Sequence, residues 1–157
     1  MRTGIGYDIH PLEKGRALIL GGVLIQHETG LSGYSDADVL THAVIDALLG
    51  AAALGDIGTH FPPGDERFAG ASSLDLLRET RALVAAGGYR IANIDSTVVA
   101  QEPRLAPHVE AIRASLASAL GIDLSSVSVK AKSADHLGAI GRGEGIAALA
   151  VVLIDSP

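Results

Sequence analysis

Val39, Leu40, Ala43, Val44, Ala47, Leu48 and Ala51 recur at helical spacing, and this stripe commits the chain to a helix running to about Leu54, with small and branched residues on its buried side. Ser35-Asp36-Ala37-Asp38 reads as its entry, with Ser35 as the cap and Asp38 three residues on, where a capping box usually carries Glu. The rest of the core must be built from similar material. Hydrophobic residues make up 48% of the chain, but the aromatics are only three tyrosines and two phenylalanines, so Ala, Val, Leu and Ile carry the packing. At 157 residues the chain is long enough to bury one such core, which predicts a single domain over 1–157.

Strand and helix patterns interleave along the remainder. Residues 2–9 and 17–25 read as short strands around a turn at Pro11 and Gly15, with Gly21-Gly22 as a second turn or bulge, predicting an antiparallel start. Residues 55–71 hold four glycines and two prolines and read as a long loop, which in a compact domain is more often functional than idle. A helix follows over 73–86, with Leu76, Leu77, Thr80, Leu83 and Val84 inward and Gly87-Gly88 as its stop. A strand is predicted over 91–100 and a helix from Pro107 to just before Gly121. Val127, Val129 and Ala131 alternate as in a strand, and a last strand spans 145–154. The interleaving predicts an α/β (α+β) domain with a mixed four- to five-stranded sheet covered by helices.

Composition also excludes. Without cysteine there is neither a disulfide nor a thiolate metal site, so any zinc must be held by imidazole and carboxylate. The longest apolar run, Ile146 to Ile154, is nine residues, too short to span a membrane, and the first ten residues lack a signal-peptide core; a cytoplasmic protein is expected. A net charge of -6 argues against a broad nucleic-acid surface.

In a strand, residues i and i+2 share a face, so Asp8 and His10 project together. A catalytic zinc takes three protein ligands and keeps an open position, and His42 on the first helix would complete the set. Asp38 and Asp46 lie one turn to either side of His42, placed to receive its other ring N–H. The same residues also fit a solvated turn and a helix-surface histidine, because spacing alone does not bring distant ligands together. Gly55-Asp56-Ile57-Gly58 and Phe61-Pro62-Pro63-Gly64-Asp65 would form a loop closing over a ligand, or a helix stop followed by turns. Lys130-Ala131-Lys132-Ser133-Ala134-Asp135 ends a strand with cations, a hydroxyl and an acid, as a phosphate or second-cation site does and as an ordinary polar strand end does. Gly141-Arg142-Gly143-Glu144-Gly145 is either a turn with a salt bridge or a place where Arg meets phosphate. His27, His60, His108 and His136 read as surface or structural.

Gly6-Tyr7-Asp8-Ile9-His10, Ser35-Asp36-Ala37-Asp38-Val39, His42-Ala43, Asp46-Ala47-Leu48-Leu49, Gly55-Asp56-Ile57-Gly58, Phe61-Pro62, Val129-Lys130-Ala131 and Gly141-Arg142-Gly143-Glu144-Gly145 follow one another over nearly the whole chain. In this order and at these separations they resemble the 2-C-methyl-D-erythritol 2,4-cyclodiphosphate synthase family of the non-mevalonate isoprenoid pathway. The resemblance implies zinc on Asp8, His10 and His42. It also implies a homotrimer with active sites between subunits. The implied reaction closes 4-diphosphocytidyl-2-C-methyl-D-erythritol 2-phosphate into a cyclic diphosphate with release of CMP. A second cation, magnesium or manganese, would sit at Asp135.

By the same resemblance Asp8, His10, Tyr34, Ser35, Asp56, Ile57 and Gly58, with the loop Phe61, Pro62 to Asp65, hold erythritol and phosphates. Ala100, Gln101, Glu102, Pro103, Arg104, Leu105 and Ala106 form the cytidine pocket of the neighbouring subunit with Ala131, Lys132 and Ser133, and Ala134 and Asp135 also contact substrate. Arg142 lies near the diphosphate or the trimer axis, and Ala139 is also among the implied substrate-binding positions. Tyr34 and Ser133 stand at positions thought to stabilise the transition state. The family usually has His where this chain has Tyr34, Thr at Ser133, Glu at Asp135 and Phe at Ala139, and with Ala139 and Leu149 a trimer cavity for isoprenoid diphosphates is not implied. The departures at Tyr34, Ser133 and Asp135 leave as an alternative a trimeric pyrimidine-nucleotide-binding module without turnover, and a further alternative is a general metal-dependent phosphohydrolase using Asp8, His10 and His42.

Overall fold

The computed structural model describes residues 1–156; Pro157, the last residue of the expected 1–157 domain, lies outside them. The first half contains β1 (Arg2–Lys14), β2 (Leu18–Leu20), β3 (Val23–Ile25), β4 (Thr29–Leu31), α1 (Val39–Ala52), α2 (Ile57–His60) and α3 (Ser73–Ala86). The second contains β5 (Arg90–Val99), α4 (Val109–Leu120), β6 (Val127–Lys132), α5 (Gly138–Gly141) and β7 (Gly145–Asp155). One five-stranded sheet has the order β4-β1-β7-β5-β6. Its β5–β6 pair is parallel and its other pairs antiparallel, which makes it the mixed sheet that the interleaving predicts.

The placement of α1 on this sheet is decided by two glycines. A Cβ at Gly4 would stand 1.9 Å from the Ala47 carbonyl oxygen, and one at Gly6 would stand 1.9 Å from the carbonyl oxygen of Ala43. Only a strand bare at these positions lets the backbones of β1 and α1 approach so closely. Ala43, Ala47 and Ala51, spaced by four, form the helix side that fits there. Strand alternation then carries Asp8 and His10 onto the same face, toward the start of α1, while Ile5, Tyr7 and Ile9 point the other way and are exposed.

Burial of α1 is broader than its predicted stripe. Thr41, His42, Ile45 and Leu49 are buried as well, because the helix is packed between the sheet strands β1, β5 and β7 and the helix α3. Leu40, Ile45, Leu48 and Leu49 are fully buried, at roughly 1.5–3 kcal/mol each. His42 is thus carried on a rigid element.

Several local expectations are corrected. Strand β1 runs on through Pro11 to Lys14 and pairs with β4 and β7, not with the segment that follows it. The expected strand over 17–25 is a small hairpin of β2 and β3 about Gly21-Gly22. The helix cap is Asp38, not Ser35. Its carboxylate accepts from the Thr41 N–H at 3.0 Å and the Thr41 hydroxyl at 2.7 Å, and also from the N–H groups of Gly21 and Gly22 at 2.9 and 2.7 Å. One buried acid therefore ties the hairpin turn to the helix start. The 55–71 loop contains the short helix α2 and a 3-10 turn at Glu66–Phe68, each begun by a side-chain cap, Asp56 and Asp65. No helix among the described residues is long and apolar enough to cross a membrane.

Candidate active site

Asp8, His10 and His42 converge. The Asp8 Oδ2 lies 2.9 Å from the His10 Nε2 and 3.0 Å from the His42 Nδ1, and the two ring nitrogens are 3.2 Å apart. A tetrahedral ion with bonds of about 2.0–2.1 Å places its ligand atoms roughly 3.3 Å from one another. One carboxylate oxygen and two imidazole nitrogens at these separations fit such an ion closely, and they are the one group of this kind among the described residues. The His10 Nδ1 is 3.0 Å from the Ser32 carbonyl oxygen, which can only accept, so the neutral ring turns a bare Nε2 toward the cluster.

The electrostatics follow from the contacts. Burial works against ionisation of Asp8, yet hydrogen bonds with both histidines outweigh it and hold the carboxyl far below the usual carboxylate range. The bond to Asp8 pushes the His10 imidazole upward against the opposing effect of burial. Burial raises the Asp46 carboxyl, although the Ile57 N–H donates to it.

The acids expected behind His42 are elsewhere. Asp38 is occupied with the cap and the hairpin, and Asp46 accepts the Ile57 N–H at 2.7 Å, fixing the start of α2. The His42 Nε2 instead lies 2.9 Å from the Ser73 hydroxyl and 3.1 Å from that of Ser35. Ser73 hands its own proton to Asp36, whose second oxygen accepts the Ser73 N–H at 2.9 Å. Helical spacing pointed to Asp38 and Asp46 because it sees only one helix; Ser73 arrives from the start of α3.

A cleft of about 230 Å³ opens over Asp8, His10 and His42, walled by Tyr34, Ser35, Ile57, Gly58, Phe61 and Pro63. Pro62 and Asp65 are not in this wall. Asp65 instead forms an ion pair with Arg67 at 2.6 Å. Asp56 takes the Thr59 N–H and hydroxyl at 2.8 and 2.7 Å.

A second, larger cleft of about 650 Å³ is lined by Ala100 through Ala106 with Ala131, Lys132 and Ser133. It also includes His27, which composition gave no reason to single out. The two clefts share no lining residue, although His10 and Val99 sit opposite adjacent residues of β7, Ile146 and Ala147. Tyr34 belongs to the first cleft and Ser133 to the second. Asp135 is exposed in a left-handed conformation, and its N–H donates to the Ser133 hydroxyl at 3.0 Å. Arg142 pairs with Glu144 at 2.6 Å, and Ala139 lies with Glu144 in a third hollow beside His10.

Known proteins resemble this chain over nearly its whole length. The chain is 59% identical over 154 residues to the 2-C-methyl-D-erythritol 2,4-cyclodiphosphate synthase of Moorella thermoacetica, an alignment that covers 98% of this chain and 94% of that one. A solved 2C-methyl-D-erythritol-2,4-cyclodiphosphate synthase in its CDP-bound form superposes with a TM-score of 0.91 at 38% identity, covering 98% of this chain and all of the other. The bifunctional IspDF of Campylobacter jejuni superposes with a TM-score of 0.96 at 41% identity; 99% of this chain matches, and it spans 42% of that longer chain. The YgbB family model matches residues 1–155, and the chain belongs to that family.

Proposed function

We propose that this enzyme converts 4-diphosphocytidyl-2-C-methyl-D-erythritol 2-phosphate to 2-C-methyl-D-erythritol 2,4-cyclodiphosphate and CMP, a phosphorus–oxygen lyase reaction. The observation that carries this reading is the convergence of Asp8, His10 and His42 beneath a cleft, in a chain whose near full-length relatives bear the synthase name. An oxygen of the 2-phosphate forms a bond to the β-phosphorus. The bond from that phosphorus to the oxygen bridging the α-phosphorus breaks, and its electron pair leaves with CMP. Two anionic groups must be brought together in line, so the site has to offset their repulsion and fix their approach. Zinc on the three ligands would supply positive charge and an open position for a phosphoryl oxygen.

The remaining roles fall to the chain itself. Tyr34, Ser35, Ile57, Gly58 and Phe61 line the cleft around the phosphates, and the Ile57 N–H bond to Asp46 ties the start of α2 to α1. The cleft of Ala100–Ala106 with Lys132 takes the cytidine, and Asp135 would hold magnesium or manganese, which would supply further positive charge for the diphosphate. The hydroxyls of Tyr34 and Ser133 donate to oxygens that gain charge during ring closure. Because the two clefts are separate in one chain, we assign the complete site to a homotrimer. Ile5, Tyr7, Ile9, Leu149 and Val151 give the sheet an exposed apolar face suited to a second copy.

The test is incubation of the purified protein with the cytidylated substrate and magnesium. Release of CMP together with the cyclic product is expected. Nucleotide binding without CMP release would favour a binding module instead, and inorganic phosphate released from simple esters would favour a phosphohydrolase.

A further inference from the structure

We propose that Ser73, oriented by Asp36, is a positioning residue for the metal centre: its hydroxyl accepts the Nε2–H of His42 and passes its own proton to Asp36, locking His42 with Nδ1 bare toward Asp8 and His10. The inference rests on the reading of these three residues as metal ligands.

The direction of the relay follows from what each atom can do. Asp36 presents two oxygens, and the Ser73 N–H donates to one while the Ser73 hydroxyl donates to the other. With its proton committed, the Ser73 oxygen can only accept from the ring nitrogen 2.9 Å away. Asp36 is held in turn, because its Oδ1 accepts the Asp38 N–H at 3.2 Å and its own N–H donates to the Ala71 carbonyl oxygen at 3.0 Å. The carboxylate is thus fixed by the backbone of the helix entry before it fixes Ser73. Ser73 is fully buried and His42 nearly so, so water does not compete for the ring proton.

Ser35 offers a second acceptor at 3.1 Å. Its hydroxyl oxygen receives the Ala37 N–H at 3.2 Å, but no carboxylate among the described residues orients its proton. The two serines are therefore unequal. One is pinned as an acceptor, whereas the other is free to turn. The arrangement replaces the direct carboxylate that usually stands behind a ligating histidine with a hydroxyl interposed between ring and acid.

The test measures zinc affinity by chelator competition for the wild-type protein, Ser73→Ala, Ser73→Thr and Ser35→Ala. Long-range ¹⁵N–¹H NMR of the zinc-loaded protein reads which His42 nitrogen carries the proton. Ser73→Ala should weaken zinc binding by about 10–100-fold, Ser73→Thr should recover most of the loss, and Ser35→Ala should cost less than Ser73→Ala. The wild-type spectrum should show His42 protonated at Nε2. Zinc binding by Ser73→Ala within twofold of wild type, or a wild-type His42 protonated at Nδ1, overturns the proposal; the spectrum decides alone if Ser73→Ala does not fold. A wild-type protein that binds no zinc overturns the ligand assignment instead.

Discussion

Replacing Gly6 by Ala should empty the metal centre without altering a ligand. A Cβ at position 6 would stand 1.9 Å from the Ala43 carbonyl oxygen and 2.8 Å from the Ala47 nitrogen, where ordinary contact begins at 3.4 Å. Both atoms are backbone of α1, so no change of rotamer relieves the clash, and strand and helix must part by on the order of 1.5 Å. Asp8 and His10 travel with β1 and His42 with α1, so the gap opens across the ligand set. A zinc site tolerates about 0.2 Å of error in its bond lengths. Overpacking commonly costs about 1–3 kcal/mol, and rigid backbone on both sides puts this substitution at the top of that range or above. Misplacement by about 1 Å costs on the order of 100-fold in turnover. Elemental analysis per subunit, denaturant unfolding and CMP release read the three consequences on one preparation. A Gly6→Ala protein with wild-type zinc content and turnover would refute the reasoning that these glycines set the ligand geometry.

Ile5→Asp places a charge on the exposed sheet face without touching the core. It should yield a folded monomer by sedimentation that retains zinc and has lost CMP release; an active monomer would remove the assignment of the site to a trimer. A pH prediction follows from the raised His10 and the depressed Asp8. In chelator-stripped protein the stability due to His10 is present below its ordinary 6.5 and lost as pH rises through its higher folded value. That due to Asp8 is present above its ordinary 3.8 and lost as pH falls through its lower folded value. Stripped protein should therefore melt lower at about pH 8 than at about pH 6, while zinc, which needs the imidazoles deprotonated, should raise the melting temperature more at about pH 8. An equal zinc effect at both values would count against His10 as a ligand.

Strand alternation was enough to place Asp8 and His10 together, since a period of two leaves no choice of face once β1 is a strand. The helix over 73–86 was equally plain, from its apolar spacing and the glycines that end it, although Leu83, read as inward, is exposed. What lay beyond local pattern was every contact between elements. Asp38 looks like a partner for His42 on a lone helix, yet two N–H groups from the β2–β3 turn claim it. Ser73 reads as nothing more than a helix start until the packing of α3 on α1 brings it to the His42 ring. His27 joins the larger cleft in the same way, from a loop with no motif of its own.

Anomalous diffraction at the zinc edge from crystals of the wild-type protein addresses the central claim most directly. One peak per subunit is expected, bonded to Asp8 Oδ2, His10 Nε2 and His42 Nδ1 at about 2.0–2.2 Å. A zinc-replete crystal without density at that point, or with its zinc held by other residues, would contradict it.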